Sequence, residues 1–247
     1  MAWRTSRSRW ELHPPTLPKG IRIYAIGDIH GRVDLLDMML QRIREHVARH
    51  PIARPIQVFL GDYIDRGPAS REVLDRLSTQ IEACETIFLR GNHEVYLLEF
   101  LKNPTILTEW RHYGGFETLL SYSLMPTIDP DPAEQKELAA ALDRVLPPFH
   151  REWFAKLRDY FICGDFFFVH AGIRPGIPLE QQSTDDLLWI RDDFLKSDKD
   201  FTKMVVHGHT PVAEPEFRSN RINIDTGAYA TGRLTCLVID SDDLFLL

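Results

Sequence analysis

Side chains able to bind metal or move protons recur at the ends of apolar runs. In AIGDIHG, Asp28 and His30 follow the run Ile21 to Ile26. In VFLGDYIDRGP, Asp62 and Asp65 follow Val58-Phe59-Leu60, with Arg66 beside them. FLRGNHE places Asn92 and His93 after a third run, and FFVHAG and VVHGHT add His170, His207 and His209. Charge at the tip of a buried strand is costly unless it is paired, hydrogen-bonded or bound to a metal. Asp, Asn and His without Cys make a mixed oxygen and nitrogen donor set. Such a set suits Mn²⁺, Fe or Zn²⁺ better than a hard Ca²⁺ site or a thiolate site. Even six such groups would be too many for one tetrahedral ion; they suit two ions ~3.5–4 Å apart that share a carboxylate. Asp62 is the natural bridge, because its strand falls between the other two in sequence order.

Each motif has a plainer reading by itself. RGNHE reads as a helix start, with Asn92 as N-cap and Glu94 in the first turn. DLLWIRDD reads as an amphipathic surface helix. Those readings do not account for the series Asp, His, Asp, Asn, His, His, each at the end of an apolar run.

The elements that position these groups follow from the pattern. Ile21 to Ile26, Ile56 to Leu60 and Thr86 to Leu89 read as strands. Between them, Val33 to Arg49 and Ser70 to Ala83 carry apolar residues at helical spacing. Strand-helix-strand-helix-strand predicts an α/β fold with a parallel sheet. Functional groups gather beyond the carboxyl ends of such strands, and neighbours ~4.8 Å apart bring three strand ends into one cluster. From His93 to about Trp153 the pattern predicts a mostly helical insert. Strands return at Tyr160 to Cys163, Phe166 to His170, Met204 to His207, Arg221 to Ile224 and Leu234 to Ile239, with Gly164-Asp165 as a hairpin turn. They predict a mixed or antiparallel sheet packed against the first.

At 247 residues and 44% hydrophobic content, the chain suits one large domain, or a domain with a subdomain. No stretch of roughly 18 apolar residues predicts a membrane span. Residues 1–20 carry Arg4, Arg7, Arg9 and Lys19 against Glu11 and lack an apolar signal core, which predicts a flexible basic arm. The formal net charge is −7, and with the arm set aside the body is more acidic still. That argues against a broad nucleic-acid surface. Cys84, Cys163 and Cys236 are odd in number and scattered, as expected of a cytoplasmic protein.

Together, GDIHG (27–31), GDYIDRG (61–67), RGNHE (90–94), HAG (170–172) and HGHT (207–210) resemble the calcineurin-like metallophosphoesterases. Within them the chain is similar to the phosphoprotein phosphatase branch, in its short bacterial and phage form. The resemblance implies two mixed β-sheets packed as a sandwich and flanked by helices, over a single domain 21–247 with a helical cap at about 97–150. It implies that Asp28, His30 and Asp62 hold one metal ion, and that Asp62, Asn92, His170 and His209 hold the other. His93 would be the general acid and Asp65 its orienting partner. Arg66, Arg191 in LLWIR, and Asn92 would contact the substrate phosphate. His207 and Asp225 would support the site. The implied reaction is hydrolysis of phosphate monoesters by direct attack of a metal-bridging hydroxide, with two divalent ions, Mn²⁺ first and Fe or Zn²⁺ next. Phosphoserine or phosphothreonine in a protein is the first substrate expected, because the second aspartate of GDYIDRG is intact. A dinucleoside tetraphosphate hydrolase is the rival reading, in which Trp110, Arg111, His112 and Tyr113 could stack a base, though packing of the helical cap is the first reading of those residues. A non-catalytic phosphate-binding scaffold is the remote one. No nucleic-acid or membrane partner is expected.

Overall fold

The computed structural model describes residues 14–79 and 84–247. Ile21–Ile26 (β1), Arg54–Phe59 (β2) and Glu85–Phe88 (β3) pair in parallel, with β2 in the middle. Val33–Arg49 (α1) and Ser70–Thr79 (α2) make the crossovers. Each buries one stripe at spacings of three and four: Leu36, Met39, Leu40 and Ile43 on α1, and Val73, Leu74 and Leu77 on α2. The end of the second expected helix, residues 80–83, lies outside the described residues.

The insert is helical. Asn92–Phe100 (α3), Leu107–Trp110 (α4), Gly115–Ser121 (α5), Pro132–Val145 (α6) and Pro148–Phe154 (α7) follow β3. The Pro/Asp break that precedes α6 is its start signal. Asp131 accepts from the backbone N–H of Ala133 and Glu134, and Pro132 occupies the first turn.

The second sheet comprises Tyr160–Cys163 (β4), Phe166–Val169 (β5), Met204–His207 (β6), Glu216–Phe217 (β7) and Arg221–Asn223 (β8). Its order is β4-β5-β6-β8-β7, with β5, β6 and β8 parallel and the edge strands antiparallel. Thr184–Trp189 (α8) and Asp192–Leu195 (α9) lie between β5 and β6 in sequence, and Ala228–Thr231 (α10) follows β8. Cys236–Asp240 (β9) and Asp243–Leu246 (β10) then return to the first sheet, antiparallel beside β1. Both sheets are therefore mixed, as the resemblance implies. The final strands belong with the first sheet rather than the second, and β7 and β10 are additions to the strands read from sequence.

Strand alternation sorts the side chains into layers. Ile23, Ala25, Ile56 and Val58 face Phe166, Phe168, Met204 and Val206 across the sandwich. Tyr24, Ile26 and Phe59 face α1, α2 and the insert. Phe167, Val169 and Val205 pack with Leu187, Ile190 and Phe194 on the far side. At the N-terminal end, Pro15 and Leu17 are buried, and Leu17 N–H donates to the Ser241 carbonyl. Residues 1–13 of the expected basic arm lie outside the described residues. Among the described residues no helix is long and apolar enough to cross a membrane.

Candidate metal centre

The carboxyl ends of β1, β2, β3, β5 and β6 carry Asp28 and His30, Asp62 to Arg66, Asn92 and His93, His170, and His209 respectively. The backbone there is unusual. His30, Asp62, Asp65, Arg66 and His209 have φ of 47°, 52°, 72°, 66° and 65°. A side-chain-bearing residue pays roughly 1–2 kcal/mol for that region, and such strain concentrates at functional sites. Two glycines make room for the carboxylates. A Cβ on Gly91 would lie 2.2 Å from Asp62 Oδ1, and one on Gly208 would lie 2.1 Å from Asp28 Oδ1.

Glu94 ties two strand ends together. Its Oε2 accepts from the backbone N–H of Asp62 (3.0 Å) and Gly91 (2.9 Å), and its Oε1 from that of Tyr63 (2.9 Å). Gly91, not Asn92, is the N-cap of α3. Asn92 is thereby freed to point its amide oxygen at the histidines.

The donor atoms converge as acceptors. His170 Nδ1 donates to the Leu60 carbonyl at 2.9 Å. Burial lowers the proton affinity of His170, so its Nε2 carries a lone pair. That lone pair lies 2.9 Å from Asn92 Oδ1 and 3.3 Å from Asp62 Oδ1. His30 repeats the arrangement. Its Nδ1 donates to the Ile64 carbonyl at 2.9 Å, burial lowers its proton affinity, and its Nε2 faces Asp62 Oδ2 at 3.6 Å. Asn92 Oδ1 is also 2.9 Å from His209 Nδ1. Asp28 Oδ1 and His209 Nε2 are buried without a hydrogen-bond partner among the described residues. Burial, with the charges of Asp225 and Asp62, pushes the Asp28 carboxyl well above its usual range. Lone pairs facing lone pairs in a buried pocket require a cation. The residues present therefore fit a divalent metal with nitrogen and oxygen ligands.

Two donor groups share one residue. Asp62 lies with His30 and His93, and again with His170 and His209, each set within 4.8 Å. The shared carboxylate is the one expected to bridge. Asp28 falls outside both groups. Its Oδ2 instead accepts from the His209 backbone N–H at 2.9 Å. His93, the expected acid, falls inside the first group. Its Nδ1 is committed to Asp65 Oδ2 at 2.7 Å. Burial lowers the His93 pKa, but the Asp62 charge and the Asp65 hydrogen bond outweigh it and hold the ring above its usual value.

The arginines stand at the rim. Arg66 Nη2 is 3.5 Å from His93 Nε2, and its guanidinium lies 4.7 Å over the Tyr229 ring. Arg191 is exposed between α8 and α9, and donates to Thr210 Oγ1 at 3.2 Å. A cleft of about 570 Å³ opens here, lined by Arg66, Arg111, His112, Tyr113, Glu117 and Tyr229. Tyr113 is 37% exposed and Tyr229 38%. Trp110 is fully buried, as packing of the cap predicts for it. His207 lies outside both donor groups, with Nδ1 donating to the Gly208 carbonyl at 3.1 Å and its ring edge-on to Phe194. Asp225 Oδ1 accepts from Gly227 N–H at 2.9 Å. No spacing signal in the sequence marks Tyr229, Thr118 or Ser70; the tertiary fold brings Tyr229 and Thr118 to the site, and Ser70 reaches Asp65 from the start of α2, five residues on.

Residues 21–236 match the calcineurin-like phosphoesterase family. The chain belongs to that family. Its members use divalent metals, and the two donor groups around Asp62 are where this phosphoesterase can hold them. It is similar to a protein named bis(5'-nucleosyl)-tetraphosphatase PrpE [asymmetrical] from Anoxybacillus flavithermus, 29% identical over 86% of this chain and 88% of that one. A homologue of the same name from Geobacillus thermodenitrificans is 26% identical over 88% and 90%. In fold the phosphoesterase resembles the cold-active protein-tyrosine phosphatase of a Shewanella species, with TM-score 0.57 and 15% identity over 94% of this chain and 80% of that one.

Proposed function

We propose that this phosphoesterase hydrolyses dinucleoside tetraphosphates at a centre of two divalent ions, Mn²⁺ first, in the cytoplasm. The observation that carries the reading is the cleft beside Arg66. It sets two half-exposed tyrosines, Tyr113 and Tyr229, next to a phosphate-binding guanidinium. A nucleoside can stack there while its phosphates reach the metal ligands. The names of the curated relatives support the same substrate class, and the cysteine usage supports the location.

Asp62 would bridge the ions, with His30 and Asp28 on one side and Asn92, His170 and His209 on the other. When bound, the ions supply positive charge to the phosphoryl oxygens and acidify water. Arg66 and Arg191, with Asn92 nearby, bind and orient the phosphoryl group through their planar donor forks. As phosphorus gains a bond to the water oxygen, the bond to the leaving oxygen breaks, His93 Nε2 gives that oxygen its proton, and the proton released by the water passes through solvent to restore His93. Asp65 keeps the other ring nitrogen, Nδ1, protonated and fixes the plane of the imidazole.

A phosphoserine or phosphothreonine protein substrate is the second reading, supported by the complete GDYIDRG and RGNHE motifs. The intact Asp65 does not separate the two. It orients His93 in both, although an alkoxide leaving group needs that proton more than a nucleotide does. The test offers diadenosine tetraphosphate and a phosphothreonine peptide to the Mn²⁺-loaded protein at equal concentration. Higher kcat/KM for the dinucleotide is expected, with its nucleotide products resolved as ATP plus AMP or as two ADP. Preference for the peptide, with free phosphate released, would overturn the first reading in favour of the second.

A further inference from the structure

The helical insert reaches beneath the cleft and grips the carboxylate that orients His93. Trp110 is fully buried, and its Nε1–H donates to Asp65 Oδ2 at 2.7 Å. That is the oxygen His93 Nδ1 also reaches at 2.7 Å. Thr118 Oγ1 donates to the other oxygen, Oδ1, at 2.5 Å. The Asp65 backbone N–H is held in turn by Ser70 Oγ at 2.9 Å and Thr118 Oγ1 at 3.0 Å. The indole itself is clamped: a Cβ on Gly115 would lie 2.4 Å from its ring. One turn further on, the Gly114 carbonyl accepts from the Arg66 N–H.

An indole N–H can only donate, and a carboxylate only accept, so the bond locks the carboxylate plane. Packing alone does not explain the aim of this N–H. The buried indole of Trp153 has no hydrogen-bond partner among the described residues, so the fold accommodates an indole held by packing alone.

We propose that Trp110, with Thr118, is a positioning residue for proton delivery: the insert holds Asp65 so that His93 presents Nε2 to the leaving oxygen. This rests on the reading of His93 as the acid. The insert is then part of the acid machinery as well as a wall of the cleft.

Trp110→Phe removes the N–H and keeps an aromatic ring. The Mn²⁺-loaded variant is assayed on phenyl phosphate, whose leaving group needs a proton, and on 4-nitrophenyl phosphate, whose leaving group needs it far less. Loss of aim predicts a fall in kcat of ~10-fold or more on phenyl phosphate with KM little changed, and a much smaller fall on the nitrophenyl ester. Equal losses on both esters, or a loss confined to KM, would overturn the proposal. His93→Asn is measured beside it and is expected to show the same dependence on leaving group, larger in size. If His93→Asn shows it and Trp110→Phe does not, Trp110 alone is misassigned. If His93→Asn loses both esters equally, the acid reading fails and the proposal with it. Should Trp110→Phe not fold, Thr118→Val removes the second donor at nearly constant volume, and the same split is expected.

Discussion

Asn92 Oδ1 and His170 Nε2 lie 2.9 Å apart, and neither has a proton to offer the other. The only ring proton of neutral His170 is committed to the Leu60 carbonyl. Two buried acceptors at that distance repel unless a cation lies against both. Asp62, 3.3 Å from the same nitrogen, adds a full negative charge. Chelation should therefore destabilise the protein. A metal at 100 times its Kd stabilises by about 2.7 kcal/mol, enough to lower Tm by several degrees when it is removed. Asp62→Asn should lose metal from both groups, read by elemental analysis of the purified protein. Unchanged metal content in that variant would remove Asp62 as the bridge.

Arg191 stands exposed at the rim, hydrogen-bonded to Thr210 rather than to an acidic partner. Arg191→Ala should weaken inhibition by inorganic phosphate by roughly 10-fold, a typical loss for one charge-assisted hydrogen bond. Metal content should not change. Phosphate inhibition equal to that of the parent protein would leave Arg191 a plain surface residue between α8 and α9.

Tyr113 stacks on Tyr96 with ring centroids 5.2 Å apart and lies edge-on to His93 at 6.2 Å. It forms an aromatic wall of the cleft beside His93. Tyr113→Leu should raise KM for diadenosine tetraphosphate by about 5- to 100-fold, the range of one base stack. KM for 4-nitrophenyl phosphate should stay within about twofold, because a small aryl ester does not need the wall. A parallel rise for both substrates would mean that the residue supports His93 rather than a base.

His207 gives the stability a pH dependence. Burial depresses its pKa from 6.5 to about 3. The unfolded chain takes up a proton near 6.5 and the folded protein does not. The contribution is therefore full above 6.5 and is lost as pH falls from 6.5 toward 3. Between pH 7 and pH 5 the metal-free protein should lose about 2 kcal/mol more than His207→Gln, at ~1.4 kcal/mol per pH unit. Urea unfolding of both proteins, with EDTA present, measures it. Identical slopes would show that His207 accepts protons in the folded state.

Much of the centre is legible in the chain because its groups sit at the ends of strands, and strand ends are marked locally by an apolar run that stops at Gly-Asp, Gly-Asn or His. Helical crossovers make β1, β2 and β3 parallel, and the structure keeps them in chain order, which sets Asp62 between the ends of β1 and β3. Other features depend on contacts that no local pattern encodes. The return of β9 to pair with β1 is a choice of partner among strands of similar character. In sequence Trp110 is one aromatic among several in the insert, and only the fold aims its N–H at Asp65, 45 residues away. Tyr229 shares the cleft with Tyr113 because α10 and the insert meet over Arg66. The candidate ligands thus stand at the strand ends, where local sequence dictates backbone and burial. The support for the acid and the shape of the cleft come from packing between segments far apart in the chain.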